Sequence, residues 1–129
     1  MAQKSIDNWL SLAEYDLTTA QAMLQTKRLL YVGFMCQQAI EKILKACYVK
    51  HRGTTPPYTH NLLRLIADMP WKDDIDSRML GVIETLNSHY IESRYTEDIG
   101  ELAATLTEAR ANEILRLTRE LLGWIRLKL

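Results

Sequence analysis

Apolar residues recur every three or four positions along most of the chain, and this spacing predicts amphipathic α-helices. In the first segment, Ile6, Leu10, Ala13, Leu17 and Leu24 form one such stripe. The pattern predicts four long helices and one short one, which are Ile6–Thr26, Leu30–His51, the short His60–Asp68, Asp74–Tyr90 and a last helix that begins after Thr105. The stretch from Ile91 to Ala104 has the least regular pattern.

Residues with strong positional preferences mark the expected helix ends. Ser5 is predicted to cap the first helix and Thr59 the short one, because hydroxyl side chains accept hydrogen bonds from the free N–H groups of a first turn. Thr105 and Glu108 have the spacing of a capping box before the last helix. Gly53 follows the second helix, where a glycine readily adopts the left-handed conformation that ends it.

Four amphipathic helices joined by short loops predict an all-α fold, an up-and-down four-helix bundle with one additional short helix across one end. The chain has 129 residues, so we expect a single domain over residues 1–129. Only three prolines and five glycines occur, which is too few for the many turns of a β-sandwich.

Some apolar residues lie outside the predicted inner stripes. They are Leu115, Leu122, Leu127 and Leu129 on the last helix and Leu12 and Tyr15 on the first. Exposed apolar surface of this kind is typical of interfaces, and two-fold symmetry is the commonest arrangement of identical subunits. The pattern therefore predicts a homodimer.

Charge and cysteine content narrow the classes of function. Sixteen basic and sixteen acidic residues give a net charge of zero, whereas proteins that bind long nucleic acids non-specifically carry a basic excess. No apolar run approaches the roughly 18 residues of a membrane span, so we expect a cytoplasmic protein without a membrane partner.

Cys36 and Cys47 would lie about 16 Å apart on one helix, too far for a disulfide, and are expected to be buried thiols. The sequence has no Cys/His cluster with zinc-site spacing, and we expect the protein to use no metal and no other cofactor.

A first candidate site lies on the second predicted helix. Its residues are Tyr31, Gln38, Glu41, Lys42 and Lys45, with Phe34 beside them. In the functional interpretation the lysines contact phosphate while Tyr31 or Phe34 stacks on a base. In the alternative, this is a solvated helix face that carries a Glu41–Lys45 ion pair.

A second candidate site lies around the irregular stretch. It contains His89, Tyr90, Glu92, Arg94, Tyr95, Glu97 and Asp98. An arginine near a histidine can bind and protonate a phosphodiester. The alternative is a loop pinned to the bundle, with Tyr95 buried and Arg94 paired with an acid. For His60 the two interpretations are a ligand or acid, and a local hydrogen bond to the helix start or to a neighbouring helix.

Four runs of the sequence together resemble the HEPN family, the "higher eukaryote and prokaryote nucleotide-binding" domains. They are WLSLAEYDL at 9–17, FMCQQAIEKILKA at 34–46, THNL at 59–62 and YIESRY at 90–95. The resemblance implies a helical bundle that dimerises. From the two clusters above, we assign a nucleotide site to Tyr31, Gln38, Lys42, Lys45, Arg94 and Tyr95. It also implies a minimal nucleotidyltransferase as partner in a toxin–antitoxin-type pair, with a nucleotide or RNA as ligand.

Many members of the family are metal-independent ribonucleases that use an arginine, four to six residues, and then a histidine. Here seven residues separate Arg52 from His60, ten separate Arg78 from His89, and no histidine follows Arg94. The resemblance therefore supplies no catalytic residues. Two alternatives stay open, namely a ribonuclease that uses His89 with Arg94, and a structural dimer without a ligand.

Overall fold

A computed structural model describes residues 2–90 and 99–129 of the chain. Its helices are α1 (Ala2–Gln25), α2 (Leu29–Arg52), α3 (Leu62–Ala67), α4 (Ser77–Asn87), α5 (Ile99–Thr105) and α6 (Glu108–Arg126), with a 3₁₀ turn at Lys72–Asp74 before α4. No strand occurs in these ranges, so the prediction of an all-α fold is confirmed. In the same ranges, no helix is both long enough and apolar enough to cross a membrane.

Several helices begin at other residues than predicted, and α4 is shorter at both ends than the expected Asp74–Tyr90. Ser5 lies inside α1, which already begins at Ala2, so Ser5 does not cap it. Asn61 caps α3 in place of Thr59, and its Oδ1 accepts a hydrogen bond from the N–H of Leu63 at 3.0 Å. The hydroxyl oxygen of Thr59 accepts a hydrogen bond from the N–H of Asn61, the residue that precedes the helix.

The stretch predicted to be irregular contains α5, and this helix changes the role of Thr105. Thr105 is the last residue of α5, where its hydroxyl donates to the carbonyl oxygen of Leu102, so it lies inside one helix and not at the start of the next. Thr107 caps α6 instead, accepting from the N–H of Arg110 at 3.1 Å. The predicted capping box is therefore wrong by two residues.

Helix α2 lies at the centre of the fold and packs against α1, α3, α4, α5 and α6. Fourteen of the eighteen residues from Val32 to Val49 are buried as a result. Gly53 ends the helix as predicted, with φ of +67°, and its N–H donates to the carbonyl oxygen of Val49. Cys36 and Cys47 are buried free thiols, and burial raises their pKa values to about 11 and about 12, so both stay protonated at neutral pH.

Part of the predicted subunit interface lies inside the protomer. Leu115 and Leu122 are buried against the rest of the chain and cannot meet a second copy. They face inward because α1 and α2 both contact α6, which widens the apolar side of that helix. Leu12, Tyr15 and Leu127 are exposed, whereas Leu129 packs against the small cluster of Ile6, Ala46 and Val49.

Candidate functional site

Much of the polar side of α2 is buried. Gln37, Glu41 and Lys45 are 0%, 1% and 6% exposed, since they lie beneath α1 and the segment that leads into α3. The predicted Glu41–Lys45 pair is present, with Lys45 Nζ 3.1 Å from Glu41 Oε2. The expectation of a solvated face is wrong, because a central helix has neighbours on its polar side as well.

The Glu41 carboxylate is the centre of this buried cluster. One oxygen, Oε2, accepts from Lys45, while Oε1 lies 2.9 Å from Nδ1 of His60 and 3.3 Å from Nε2 of Gln37. A buried charge is costly unless paired and hydrogen-bonded, and here both oxygens have partners. The arrangement holds His60 against α2 across nineteen positions of sequence.

Backbone and amide hydrogen bonds fix the segment that carries His60. Gln37 Nε2 donates to the carbonyl oxygen of His60 at 2.9 Å. On the other side, Asn87 Oδ1 at the end of α4 accepts from the N–H of Leu62 at 2.9 Å. The same side chain donates through Nδ2 to Asn61 Oδ1, also at 2.9 Å. The segment is therefore anchored to both α2 and α4.

Five rings form a continuous row across this part of the surface. In order, this aromatic row consists of Tyr58, His60, Tyr90, Phe34 and Tyr31. The centroid distances between successive rings are 5.8, 4.3, 5.7 and 6.3 Å. The closest pair, His60 and Tyr90, is stacked with only 18° between the ring planes. The two end rings, Tyr58 and Tyr31, are exposed, so the row is open to solvent at both ends.

A cleft of about 320 Å³ opens beside the stacked pair and is lined by His60, Asn61, Asn87 and Tyr90. Its size is at the lower end of the range for small-ligand sites. Its lining is aromatic and amide, and within the described residues it includes no carboxylate. Such a lining suits a flat, polar ring better than a metal ion or a free anion.

The described members of the predicted nucleotide site fall into two groups. Tyr31 is the outer end of the aromatic row, whereas Gln38, Lys42 and Lys45 belong to the polar side of α2. Lys42 Nζ donates to Asp16 at 3.0 Å and to Gln38 Oε1 at 3.1 Å. Both lysines therefore have carboxylate partners, and their contact with phosphate stays a prediction.

The second sequence cluster is described only in part. Five of its members lie outside the described residues, namely Glu92, Arg94, Tyr95, Glu97 and Asp98. The predicted pairing of His89 with Arg94 therefore stays a prediction. His89 is buried against α2 at Gly33. A Cβ atom at Gly33 would lie 2.7 Å from Nδ1 of His89, so only glycine permits this approach.

Several site residues are not evident in the sequence. Asn61 and Asn87 are 26 positions apart, and no local pattern predicts that their amides meet. Tyr58 follows two prolines in a segment whose course periodicity does not predict. Tyr31, Phe34 and Tyr90 were named in the two candidate clusters, and all three lie in the aromatic row. His60 carried a signal as a histidine at a helix start, and the bond to a neighbouring helix that we considered for it is present.

A larger cavity of about 410 Å³ lies elsewhere, between α4 and α6. Its floor is apolar and includes Val82, Ile114 and Leu117. The arginines at its rim have acidic partners, since Arg78 pairs with Glu120 and Arg110 with Glu113. Its lining lacks the aromatic and amide groups that line the His60 cleft. We therefore take the His60 cleft as the candidate site.

Comparisons with known proteins agree with the resemblance. The model of the HEPN domain matches residues 6–128. The crystal structure of TT1696 from Thermus thermophilus is similar over 96% of this chain and 98% of that one, at 30% sequence identity and a TM-score of 0.82. No curated protein matches this chain. With nearly the whole sequence covered, the chain belongs to the HEPN domain family.

Proposed function

We propose that this protein binds a nucleotide or a short single-stranded RNA on the aromatic row. Membership of the HEPN family supports a nucleotide- or RNA-related module. The observation that carries the proposal is the stacked His60–Tyr90 pair at the edge of an open cleft, with further rings on both sides. Bases stack on such rings irrespective of sequence, each contributing about 1–3 kcal/mol.

The charges around the row support binding by stacking more than binding by charge. Lys42 and Lys45 have carboxylate partners, and the net charge of the chain is zero. Arg28 lies beside Tyr31 in a shallow hollow at the end of the row and forms no ion pair with the residues that the structure describes. Arg28 is thus positioned to contact one phosphate, which would give a shallow dependence of affinity on salt concentration.

Replacing Tyr31 by alanine tests the proposal, because this ring is half exposed and its loss leaves the core intact. We expect Tyr31→Ala to weaken binding of a fluorescent ten-nucleotide RNA about 5- to 100-fold, the equivalent of one lost stacking contact. Fluorescence anisotropy titration measures this affinity. Leu80→Ala is the matched control, since it removes an exposed apolar side chain on α4 outside the row and should leave affinity unchanged. Absence of RNA and nucleotide binding by the unmodified protein would contradict the proposal.

We further propose that the protein works as a cytoplasmic homodimer beside a minimal nucleotidyltransferase, in a toxin–antitoxin-type pair. The family resemblance supports the pairing, and the exposed Leu12, Tyr15 and Leu127 offer apolar surface for a protein contact. Light scattering of the purified protein should give twice the protomer mass of 14.9 kDa, and co-expression with a nucleotidyltransferase from the same locus should yield a stable complex. A monomer at micromolar concentration would contradict the dimer.

A further inference from the structure

We infer that Nε2 of His60 accepts a hydrogen bond from a ribose 2′-hydroxyl, so that the cleft prefers ribonucleotides to deoxyribonucleotides. This inference rests on the proposed function, because it concerns the same cleft. It adds a specificity-determining residue, since stacking alone does not distinguish RNA from DNA.

The buried carboxylate fixes which nitrogen of His60 carries the hydrogen. Glu41 forms an ion pair with Lys45, and the carboxylate of an ion pair can only accept hydrogen bonds. The 2.9 Å contact between Glu41 Oε1 and His60 Nδ1 therefore requires the hydrogen to be on Nδ1. In the neutral ring Nε2 then carries a lone pair and is an acceptor.

The position of the ring leaves that acceptor available to a ligand. Stacking on Tyr90 sets the ring plane, and the bond from Gln37 to the His60 carbonyl oxygen holds the backbone. Nε2 lies across the ring from Nδ1, on a side chain that is 34% exposed and lines the cleft. Among residues 2–90 and 99–129, none forms a hydrogen bond with Nε2.

Asn61 supplies a donor in the same cleft, and the network fixes its orientation. The N–H of Leu62 requires an oxygen from Asn87, so Asn87 turns its NH₂ group toward Asn61. Asn61 Oδ1 accepts that bond and another from the N–H of Leu63, which leaves Asn61 Nδ2 as a donor. An acceptor and a donor lining one cleft match a hydroxyl, which both donates and accepts.

The test compares oligouridylate with oligodeoxyuridylate of the same length, which differ only in the 2′-hydroxyl. Anisotropy titrations should show that the unmodified protein binds the ribo-oligomer about three- to tenfold more tightly, the usual effect of one neutral hydrogen bond. A 2′-O-methyl oligomer, which cannot donate, should bind no better than the deoxy-oligomer.

Two variants assign the preference to His60. His60→Phe keeps a flat ring for stacking but has no acceptor, so the ratio of ribo to deoxy affinity should fall to about one while deoxy affinity persists. The double variant Glu41→Gln with Lys45→Met removes both buried charges together. The new glutamine amide can donate as well as accept, so it no longer fixes the hydrogen on Nδ1 of His60, and the ratio of ribo to deoxy affinity should also fall. Circular dichroism melting checks that each variant is folded, and Leu80→Ala should keep the ratio of the unmodified protein.

The outcomes separate this inference from the proposed function. Equal affinity of the unmodified protein for both oligomers overturns the inference and leaves stacking in place. An unchanged ratio in a folded His60→Phe or Glu41→Gln/Lys45→Met variant overturns it as well. If the unmodified protein binds neither oligomer nor a mononucleotide, the proposed function fails and the inference fails with it.

Discussion

Two ion pairs in this protein have the same helical spacing and nearly the same geometry but opposite surroundings. Glu41 and Lys45 on α2 approach to 3.1 Å with side chains 2% and 8% exposed. Arg116 and Glu120 on α6 approach to 2.9 Å with side chains 59% and 48% exposed. From sequence alone both look like ordinary pairs on a helix surface.

The difference arises from where the two helices lie. Helix α2 contacts all five other helices of the described ranges, whereas one side of α6 faces solvent. Water and salt screen an exposed pair, so either partner can be removed with little effect. In a dry interior each partner depends on the other, because removing one leaves an uncompensated charge. Location in the fold therefore determines the energetic role of a pair that the sequence specifies equally well in both places.

The largest effect is expected from breaking the buried pair. Glu41→Ala leaves Lys45 without its carboxylate and His60 without its anchor, so we expect a loss of about 3–5 kcal/mol in the free energy of unfolding. Urea denaturation followed by circular dichroism measures the loss. The Glu41→Gln/Lys45→Met variant, which removes both charges, should recover most of it.

The exposed pair provides the matched control for that experiment. Arg116→Ala should hardly move the unfolding midpoint, and added salt should reduce the difference further, since the pair is screened. Similar losses for Arg116→Ala and Glu41→Ala would contradict the contrast between the two helices.

Glycine-to-alanine substitutions should have effects smaller than that of Glu41→Ala, destabilising on α2 and stabilising on α6. Gly33→Ala would place a methyl group 2.7 Å from the His89 ring, and we expect this overpacking on α2 to cost about 1–3 kcal/mol. Gly123→Ala on α6 meets no atom within 4 Å, so it should stabilise the helix by about 0.5–1 kcal/mol. Thermal unfolding of the two variants measures both values, and a shift in the same direction for both would contradict the prediction.

Periodicity predicted the fold because apolar stripes determine which elements form and which sides they bury. It could not predict that Gln37, Glu41 and Lys45 are buried, since a polar helix side gives no indication of whether another element will cover it. Helix ends were less predictable where two residues compete for one role, as Thr105 and Thr107 do.

The candidate site was predicted less completely than the fold. Its central bond joins Glu41 to His60 and its cleft joins Asn61 to Asn87, and both contacts depend on how α3 and α4 pack on α2. Tyr31 was named from its helix face and lies in the aromatic row. The roles assigned to Arg94 and Tyr95 remain predictions, because these residues are outside the described part of the chain.

The buried Glu41–Lys45 pair also constrains how relatives of this protein can diverge. Because replacing either residue alone is expected to destabilise the protein, we expect the two positions to change together, as a compensated double substitution. Such epistasis would preserve the pair even in relatives that do not bind a ligand. The run of residues from 37 to 46 is then a marker of shared ancestry and architecture, and biochemical activity has to be inferred from the cleft.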